Sequence, residues 1–340
     1  MRARLLGMVV RGVKSKVPRA AVLTATLLAA CASEGPHAPP REPIAFKRYF
    51  DDERTSSAIF VINPDGSGER QVTRPPAGFS DDQPDWSPDR SRIAVDRCGP
   101  ETCGAWIVSV DGSSSHQIAP LNACPPGVVP PACDDDGWPA FSPDGRRVAY
   151  VRSSGRIVNE EIESSQLVVS DVDGRKPNVL TRFKEFAGDI NGPSWSPDGK
   201  RIVFGYTNAG TTPSGAHSLF VINADGTGLR RITPYALKAS DSPAWSPKAD
   251  LIAFHTETDS DTGSGDIYTI RSDGSALKRL TDVGKDVRVT SCSFSPDGEW
   301  IVFGKTGTAG RPDLFIMRND GTDTRRVTRT ALWDSAPDWN

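Results

Sequence analysis

Trp195-Ser196-Pro197-Asp198-Gly199 is one copy of a short sequence motif that recurs along the 340-residue chain. The other copies also begin with an aromatic residue followed by Ser-Pro, at Trp86, Phe141, Trp245 and Phe294. Successive copies are 55, 54, 50 and 49 residues apart. Self-similarity at a period of roughly 20–50 residues is typical of solenoids, propellers and repeat arrays. We therefore expect one structural unit that is repeated along the chain.

Each repeat is predicted to hold four strands, named a to d in chain order. Strand a ends at the aromatic residue, and Ser-Pro-Asp-Gly forms the next turn because Pro presets φ and Gly tolerates a positive φ. Strands b and c, such as residues 201–204 and 219–222, are rich in Val, Ile and Phe, which is typical of strands covered on both faces. An Asp-Gly pair, as at residues 225–226, is a strong hairpin signal between c and d. Four short strands per repeat predict a propeller blade.

The two ends of the repeat region complement each other. Trp339 ends a strand a that has no strand b after it, whereas residues 43–47 read as a strand b with no strand a before it. We therefore expect the C-terminal strand to pair with the three N-terminal strands. The prediction is an all-β, six-bladed propeller over residues 43–340, closed into a ring that leaves no open sheet edge.

The recurring aromatic-Ser-Pro and Asp-Gly motifs resemble the repeats of the TolB-type β-propeller, and the resemblance covers residues 43–340. A full TolB also has a separate N-terminal α/β domain, and residues 31–42 are too short for one. The resemblance therefore implies a TolB-like propeller rather than the docking component of the envelope translocation system. It also implies that peptide segments are received at the mouth of the central channel and that a metal can be held there. The same repeat serves in oligosaccharide lyases and as the gating domain of prolyl-oligopeptidase-type peptidases.

The N-terminal residues read as an export signal. Six basic residues precede an apolar run at 20–30, which is too short to span a bilayer because a helix needs about 20 residues. The run Leu28-Ala29-Ala30-Cys31 resembles the lipobox of bacterial lipoproteins, which implies a lipid on Cys31 and removal of residues 1–30. Residues 31–42 are then a Pro-rich tether. We expect a lipid-anchored protein at the periplasmic face of the outer membrane, or at the outer face of the cytoplasmic membrane in a single-membrane bacterium.

The charge balance argues against nucleic acid as a partner. The formal net charge is −3, but without residues 1–30 it is −9, because 34 basic residues then face 43 acidic ones. Binding to phosphate requires a clustered basic surface. We expect a monomer that touches the membrane through its lipid anchor only.

One face of the predicted ring carries the long loops. The b–c and d–a connections share this loop face, whereas the tight Ser-Pro-Asp-Gly and Asp-Gly turns share the other, the tight-turn face. Long loops on a rigid scaffold are where binding usually occurs. We therefore expect an envelope protein or peptide to bind at the loop face.

Acidic residues recur where strand a begins, at the predicted channel mouth. The five candidates for a ring of carboxylates are Asp82, Asp136, Asp189, Asp241 and Asp334. Such a ring would attract a cation or a peptide rich in Lys and Arg, and it would suit Ca²⁺. The alternative is that these residues cap turns and accept hydrogen bonds from strand-start amides. No other cofactor is expected.

The cysteines fit an oxidising compartment. Cys98 and Cys103 bracket a b–c hairpin, and Cys124 and Cys133 bracket a Pro-rich loop, so two disulfides are expected. Zinc binding by these four thiols is the alternative, although the C-x₂-C spacing is missing. Cys292 is expected to be a small buried thiol.

An enzyme is not expected from the residue pattern. The three propeller histidines, His116, His217 and His255, are scattered, and the chain has no G-x-S-x-G phrase. Two alternatives to a protein-binding module remain. One is a glycan-binding or oligosaccharide-lyase propeller, for which Trp138 and Trp333 near strand-a starts are the best support. The other is a purely structural envelope lipoprotein.

Overall fold

Six four-stranded antiparallel sheets make up a propeller in the computed structural model of the chain. The structure describes residues 38–100, 103–118, 135–153, 157–158, 161–162, 165–181, 188–208, 216–239, 242–257, 265–284, 287–306 and 310–340. The sheets are formed within residues 39–340, which constitute one compact unit. The predicted six-bladed fold is therefore confirmed. In the described part of the chain, no helix has the length and apolar character needed to span a membrane.

The first three blades begin at the N-terminal end of this unit. Blade 1 takes its strands b, c and d from β1 (Ile44–Tyr49), β2 (Ser57–Ile62) and β3 (Arg70–Gln71). Blade 2 consists of β4 (Ser80–Trp86), β5 (Arg92–Cys98), β6 (Cys103–Ser109) and β7 (Ser115–Gln117). Blade 3 consists of β8 (Asp135–Phe141), β9 (Arg147–Ser153), β12 (Gln166–Asp171) and β13 (Asn178–Val179). Its b–c connection carries a small hairpin of β10 (Ile157–Val158) and β11 (Glu161–Ile162).

The remaining blades follow in chain order. Blade 4 consists of β14 (Gly188–Trp195), β15 (Arg201–Asn208), β16 (Ala216–Asn223) and β17 (Arg230–Arg231), and a 3₁₀ turn follows at Tyr235–Leu237. Blade 5 consists of β18 (Ala244–Trp245), β19 (Ile252–His255), β20 (Ile267–Ile270) and β21 (Lys278–Arg279). Blade 6 consists of β22 (Val289–Phe294), β23 (Trp300–Thr306), β24 (Pro312–Arg318) and β25 (Arg325–Arg326).

The ring closes through β26 (Trp333–Asp338), which is strand a of blade 1 and pairs antiparallel with β1. The closure predicted from the two ends of the repeat region is confirmed. The indole Nε1 of Trp339 donates to the carbonyl of Glu42 at 2.8 Å. The guanidinium of Arg90 donates to the carbonyls of Pro43 and Trp339, so blade 2 also holds the junction.

The hydrophobic core lies between neighbouring blades. Ile44 and Phe46 of blade 1 pack with Trp300 and Val302 of blade 6, and all four are fully buried. On the opposite side of blade 1, its apolar residues pack in the same way with blade 2. Strands b and c are thus covered on both faces, which explains their unbroken apolar runs.

The Ser-Pro-Asp-Gly turns are fixed by their own side chains. In blade 4 the hydroxyl of Ser196 donates to Asp198 at 2.6 Å and accepts from the amide of Arg201 at 2.9 Å. Gly199 adopts a φ of 65°, which a residue with a Cβ rarely does. The same hydroxyl-to-carboxylate bond recurs at Ser87, Ser142 and Ser295. These turns therefore form a rigid face with short connections.

Candidate functional site

The central channel is lined by the six strands a and contains three successive cavities. The loop-face cavity has a volume of about 340 Å³. It continues through a narrow cavity of about 90 Å³ to a third of about 310 Å³ on the tight-turn face. Gln83, Trp138 and Ser291 line both the loop-face cavity and the narrow one. These residues form the constriction between the loop-face mouth and the rest of the channel.

A β-bulge shapes this constriction. The register between strands a and b shifts in blades 2, 3, 4 and 6, and also between β1 and β26. Four channel residues at one repeat position have a positive φ: Gln83 at 47°, Trp138 at 54°, Gly192 at 52° and Ala336 at 47°. A proline follows each of them. Bulges re-aim a side chain, and here they turn this position toward the channel.

Two of the predicted aspartates are held by arginines of the adjacent strand b. Asp136 lies opposite Arg152 and accepts two hydrogen bonds from its guanidinium, both at 2.8 Å. Asp334 lies opposite Arg48 and accepts at 2.6 and 2.9 Å. Asp81, a neighbour of the predicted Asp82, is bound in the same way by Arg97. Ionised groups this deeply buried need such a partner.

The remaining predicted aspartates are in different surroundings. Asp82 forms an ion pair with Lys47 of the neighbouring blade, with 2.6 Å between the Nζ and Oδ2 atoms. Asp189 is exposed at the start of β14, and Asp241 lies outside the described residues. None of the four described aspartates lines the loop-face cavity. Their proposed role in binding a cation or a peptide stays a prediction.

The loop-face cavity is instead lined by cations and aromatic rings. Its charged residues within the described ranges are Lys47, Arg54, Arg288 and Glu257, and the cavity is also lined by His255. Burial lowers the pKa of Lys47, but the charge interactions and hydrogen bonds with Asp82 and Tyr49 together outweigh burial and raise this pKa above its usual value. The aromatic residues at this mouth are Tyr49, Trp138 and Trp333.

Two aspartates lie deeper in the channel, and the sequence reasoning missed both. Asp85 accepts from the backbone amide of Phe141 at 2.7 Å, and Asp338 accepts from the amide of Trp86 at 2.8 Å. Each therefore joins its own blade to the next one. Burial and mutual repulsion raise the pKa of Asp85 well above its usual value, and burial also raises that of Asp338. The repeated Pro-Asp-Trp at 84–86 and 337–339 is the signal that could have identified them.

The first predicted disulfide is confirmed. Cys98 and Cys103 face each other at the end of β5 and β6 and are bonded, with their Cα atoms 4.0 Å apart. Cys292 is a buried free thiol, and burial raises its pKa to about 12. Cys31, Cys124 and Cys133 lie outside the described residues, as do the predicted signal segment and most of the tether.

The three histidines do not converge. His116 is exposed on the outer strand β7, and His217 bonds to Thr207 at 2.9 Å in blade 4. His255 alone lines the loop-face cavity. Within the described ranges, no group of three or more His, Cys, Asp or Glu side chains is placed to hold a metal ion.

Comparisons with known proteins agree with this architecture. Residues 138–285 match the family model of the TolB beta propeller domain. In the structure this segment runs from strand a of blade 3 to strand d of blade 5. This segment, which is less than half of the chain, is therefore similar in sequence to the TolB beta propeller domain.

Two curated relatives match about half of the chain. The Tol-Pal system protein TolB of Bordetella pertussis is 32% identical over 179 residues, which cover 52% of this chain and 36% of the relative. The uncharacterized peptidase YuxL of Bacillus subtilis is 28% identical over 219 residues, which cover 53% of this chain and 31% of the relative. The chain thus spans about a third of the length of either relative.

Solved structures show the same fold at low identity. TolB from Acinetobacter baumannii has a TM-score of 0.63 and 20% identity, covering 88% of this chain and 66% of that chain. An oligogalacturonate lyase from Vibrio parahaemolyticus has a TM-score of 0.52 and 12% identity, covering 86% and 80%. A TolB and a lyase therefore share this scaffold, and the fold alone does not select a function.

Proposed function

We propose that the protein is a cell-envelope binding module whose loop-face channel mouth engages a protein or peptide partner. The observation that carries the proposal is the open cavity of about 340 Å³ at that mouth, walled by charged and aromatic side chains. Concave sites with a few convergent polar groups on an apolar wall are the usual form of binding sites. The likeness to the Tol-Pal system protein TolB supports a protein partner in general.

The proposed location rests on the sequence. A lipid on Cys31 would anchor the chain, and the tether at residues 31–42 would join the anchor to the propeller. The described chain enters the ring in strand b of blade 1, whose first residue, Ile44, lies on the tight-turn face. With this connection the loop face would point away from the membrane. A partner in the surrounding compartment could then reach the mouth.

A second candidate function is the binding of a glycan. Trp138 and Trp333 both line the loop-face cavity, as a sugar-stacking site would require. A lyase reaction would need more than this wall, because His255 is the one histidine at the mouth within the described ranges. Glycan binding is therefore the second candidate function, and cleavage of the bound glycan would require further catalytic groups.

Site-specific photocrosslinking in cells tests the first candidate. A photoreactive amino acid at Ser242, which lines the mouth, should capture a protein partner that mass spectrometry identifies. The matched position is Asp273 in a tight turn, where we expect no capture of the same partner. Capture from Ser242 should also fall in a Trp138→Ala, Trp333→Ala variant. Equal capture from both positions would contradict binding at the mouth.

A further inference from the structure

The described charged side chains that line the loop-face cavity are mostly cationic, whereas the protein as a whole is acidic. Without residues 1–30 the chain carries a net charge of −9. Yet the described charged side chains that line this cavity are three cations, Lys47, Arg54 and Arg288, and one carboxylate, Glu257. Lys47 is already paired with Asp82, so the preference of this mouth for an anionic or a cationic ligand rests on Arg54.

Arg54 is presented to the cavity without a carboxylate partner among the described residues. It lies in the b–c loop of blade 1, at a φ of 58° that few non-glycine residues adopt. Its guanidinium lies over the ring of Trp333, 4.9 Å from the ring centre. Stacking on an aromatic face leaves the edge of a guanidinium free to make two parallel hydrogen bonds.

The loop that carries Arg54 is capped by the side chain of Asp51. The carboxylate of Asp51 accepts from the amides of Thr55 and Ser56 at 2.7 and 3.0 Å, and from the Ser56 hydroxyl at 2.7 Å. These bonds also lower the pKa of Asp51, chiefly through the Thr55 amide, so the cap stays ionised at neutral pH. A loop fixed in this way loses little conformational entropy when a ligand binds to Arg54.

Two buried hydroxyl groups in the wall of the same cavity lack a hydrogen-bond partner among the described residues. Ser335 is only 6% exposed, and neither its Oγ nor the buried Oγ1 of Thr290 makes a hydrogen bond. Both residues line the loop-face cavity. A buried hydroxyl left unpaired costs free energy, so these two hydroxyls are polar groups of the cavity wall that the described part of the fold leaves unsatisfied.

The deeper channel offers an anion no compensating charge from the described residues. The narrow cavity below the constriction is lined by Asp85 and Asp338 and, within the described ranges, by no cationic side chain. An anionic group that enters from the loop face is therefore attracted to the cations of the mouth, and among the described residues it finds no cationic partner below the constriction. This arrangement favours binding at the level of Arg54 and Trp333.

We infer that the mouth binds a carboxylate-bearing segment of an acidic peptide, with Arg54 as the bidentate anchor. The walls formed by Trp138 and Trp333 pack against the apolar atoms of the ligand. A cavity that narrows to about 90 Å³ suits a side chain or chain terminus that enters end-on, more than a glycan that lies across the surface. This inference rests on the proposed function, because it names the ligand class of the same mouth.

Fluorescence anisotropy with three labelled hexapeptides of one length tests the inference on the full chain. The first contains Asp and Glu, the second has Asn and Gln in their place, and the third has Lys and Arg. We expect the acidic peptide to bind at least tenfold more tightly than the amide peptide, since hydrogen bonds to charged groups are the stronger ones. This binding should weaken as salt rises, because salt screens partly exposed charges.

Variants assign the effect to Arg54. Arg54→Asn keeps a residue that tolerates a positive φ and should weaken acidic-peptide binding about tenfold or more. Arg54→Lys keeps the charge but not the two parallel bonds, so it should recover only part of the affinity. The matched control is Arg230→Gln on the exposed outer strand β17, which should leave the affinity unchanged. Unfolding midpoints equal to that of the unaltered chain will show that each variant is folded.

Several outcomes would overturn the inference. These are equal binding of the acidic and amide peptides, tighter binding of the basic peptide, or full affinity in Arg54→Asn. Binding of tri-galacturonate in preference to the acidic peptide would also overturn it and would favour the glycan candidate. If photocrosslinking from Ser242 succeeds while the acidic peptide fails to bind, the proposed function stands and the ligand class is wrong.

Discussion

Arg48 lies directly opposite Asp334 in the strand pair that closes the ring, and its guanidinium binds both oxygens of that carboxylate. Neither residue is more than 5% exposed. The same guanidinium also donates to Glu69 at 2.6 and 2.9 Å. One arginine thus links strand a, strand b and the start of strand d in the blade that contains the junction.

Removing only one partner of the buried Arg48–Asp334 pair should destabilise the folded protein strongly. Arg48→Ala leaves the Asp334 carboxylate buried without its partner, and we expect a loss of about 3–5 kcal/mol in the free energy of unfolding. Urea denaturation followed by tryptophan fluorescence measures it. The control is Arg175→Ala, whose exposed ion pair with Asp173 should contribute less than about 1 kcal/mol. If Arg48→Met combined with Asp334→Leu is as unstable as Arg48→Ala, the cost does not come from the unpaired charge.

The Cys98–Cys103 bond should stabilise the folded state. It closes a loop with a sequence separation of 5, for which the chain-entropy account gives about 2 kcal/mol. A Cys98→Ser, Cys103→Ser variant should therefore unfold at lower urea than the oxidised protein. After alkylation without reductant, mass spectrometry of the peptide that contains both cysteines should show neither thiol alkylated. Alkylation of both thiols would show that the bond does not form.

The Asp85–Asp338 pair predicts a loss of stability as pH rises. A carboxyl whose pKa is raised on folding holds its proton more tightly in the folded state. Its stabilising effect is therefore present below the unfolded-state pKa and is lost as pH rises toward the folded-state pKa. The unfolding midpoint should fall between pH 5 and pH 8, and the fall should be smaller in Asp85→Asn.

A second carboxyl provides the control for that pH series. Hydrogen bonds from Ser87 and Ser91 lower the pKa of Asp89 to about 2, so Asp89 is ionised throughout this window. Asp89→Asn should lower the midpoint by a similar amount at every pH between 5 and 8. A slope that is the same in the unaltered protein and in Asp85→Asn would refute the assignment to the buried pair.

At the β-bulge position with a positive φ, glycine should give a more stable protein than alanine. Gly192 has a φ of 52°. Gly192→Ala should lower the free energy of unfolding by about 1 kcal/mol, because the left-handed conformation is unfavourable for a residue with a Cβ atom. Ala336 has a φ of 47° at the equivalent position, so Ala336→Gly should be neutral or stabilising. The urea midpoint should fall in Gly192→Ala and should stay the same or rise in Ala336→Gly. An equal loss in both would mean that packing rather than backbone conformation decides.

The repeated sequence motifs predicted the blades, their order and the closure of the ring. This was possible because turn-forming residues and apolar runs are local properties of the sequence. The candidate site depended on features that are not local. The sequence placed Asp334 at the start of a strand a, but its pairing with Arg48 follows from the cross-strand register of the closed ring. Likewise, Arg54 lies in a loop outside the repeat pattern, and only the fold brings it over Trp333.

The closing strand also has a consequence for the time course of folding. Arg48 and Asp334 are 286 residues apart in sequence, whereas the four strands of each of blades 2 to 6 follow one another along the chain. Contacts between distant residues form slowly because the loop between them must first be closed. We expect blades 2 to 6 to form early and blade 1 to be completed last. Until then β1 presents an unpaired strand edge, which is the part of the nascent protein most exposed to aggregation or to a chaperone.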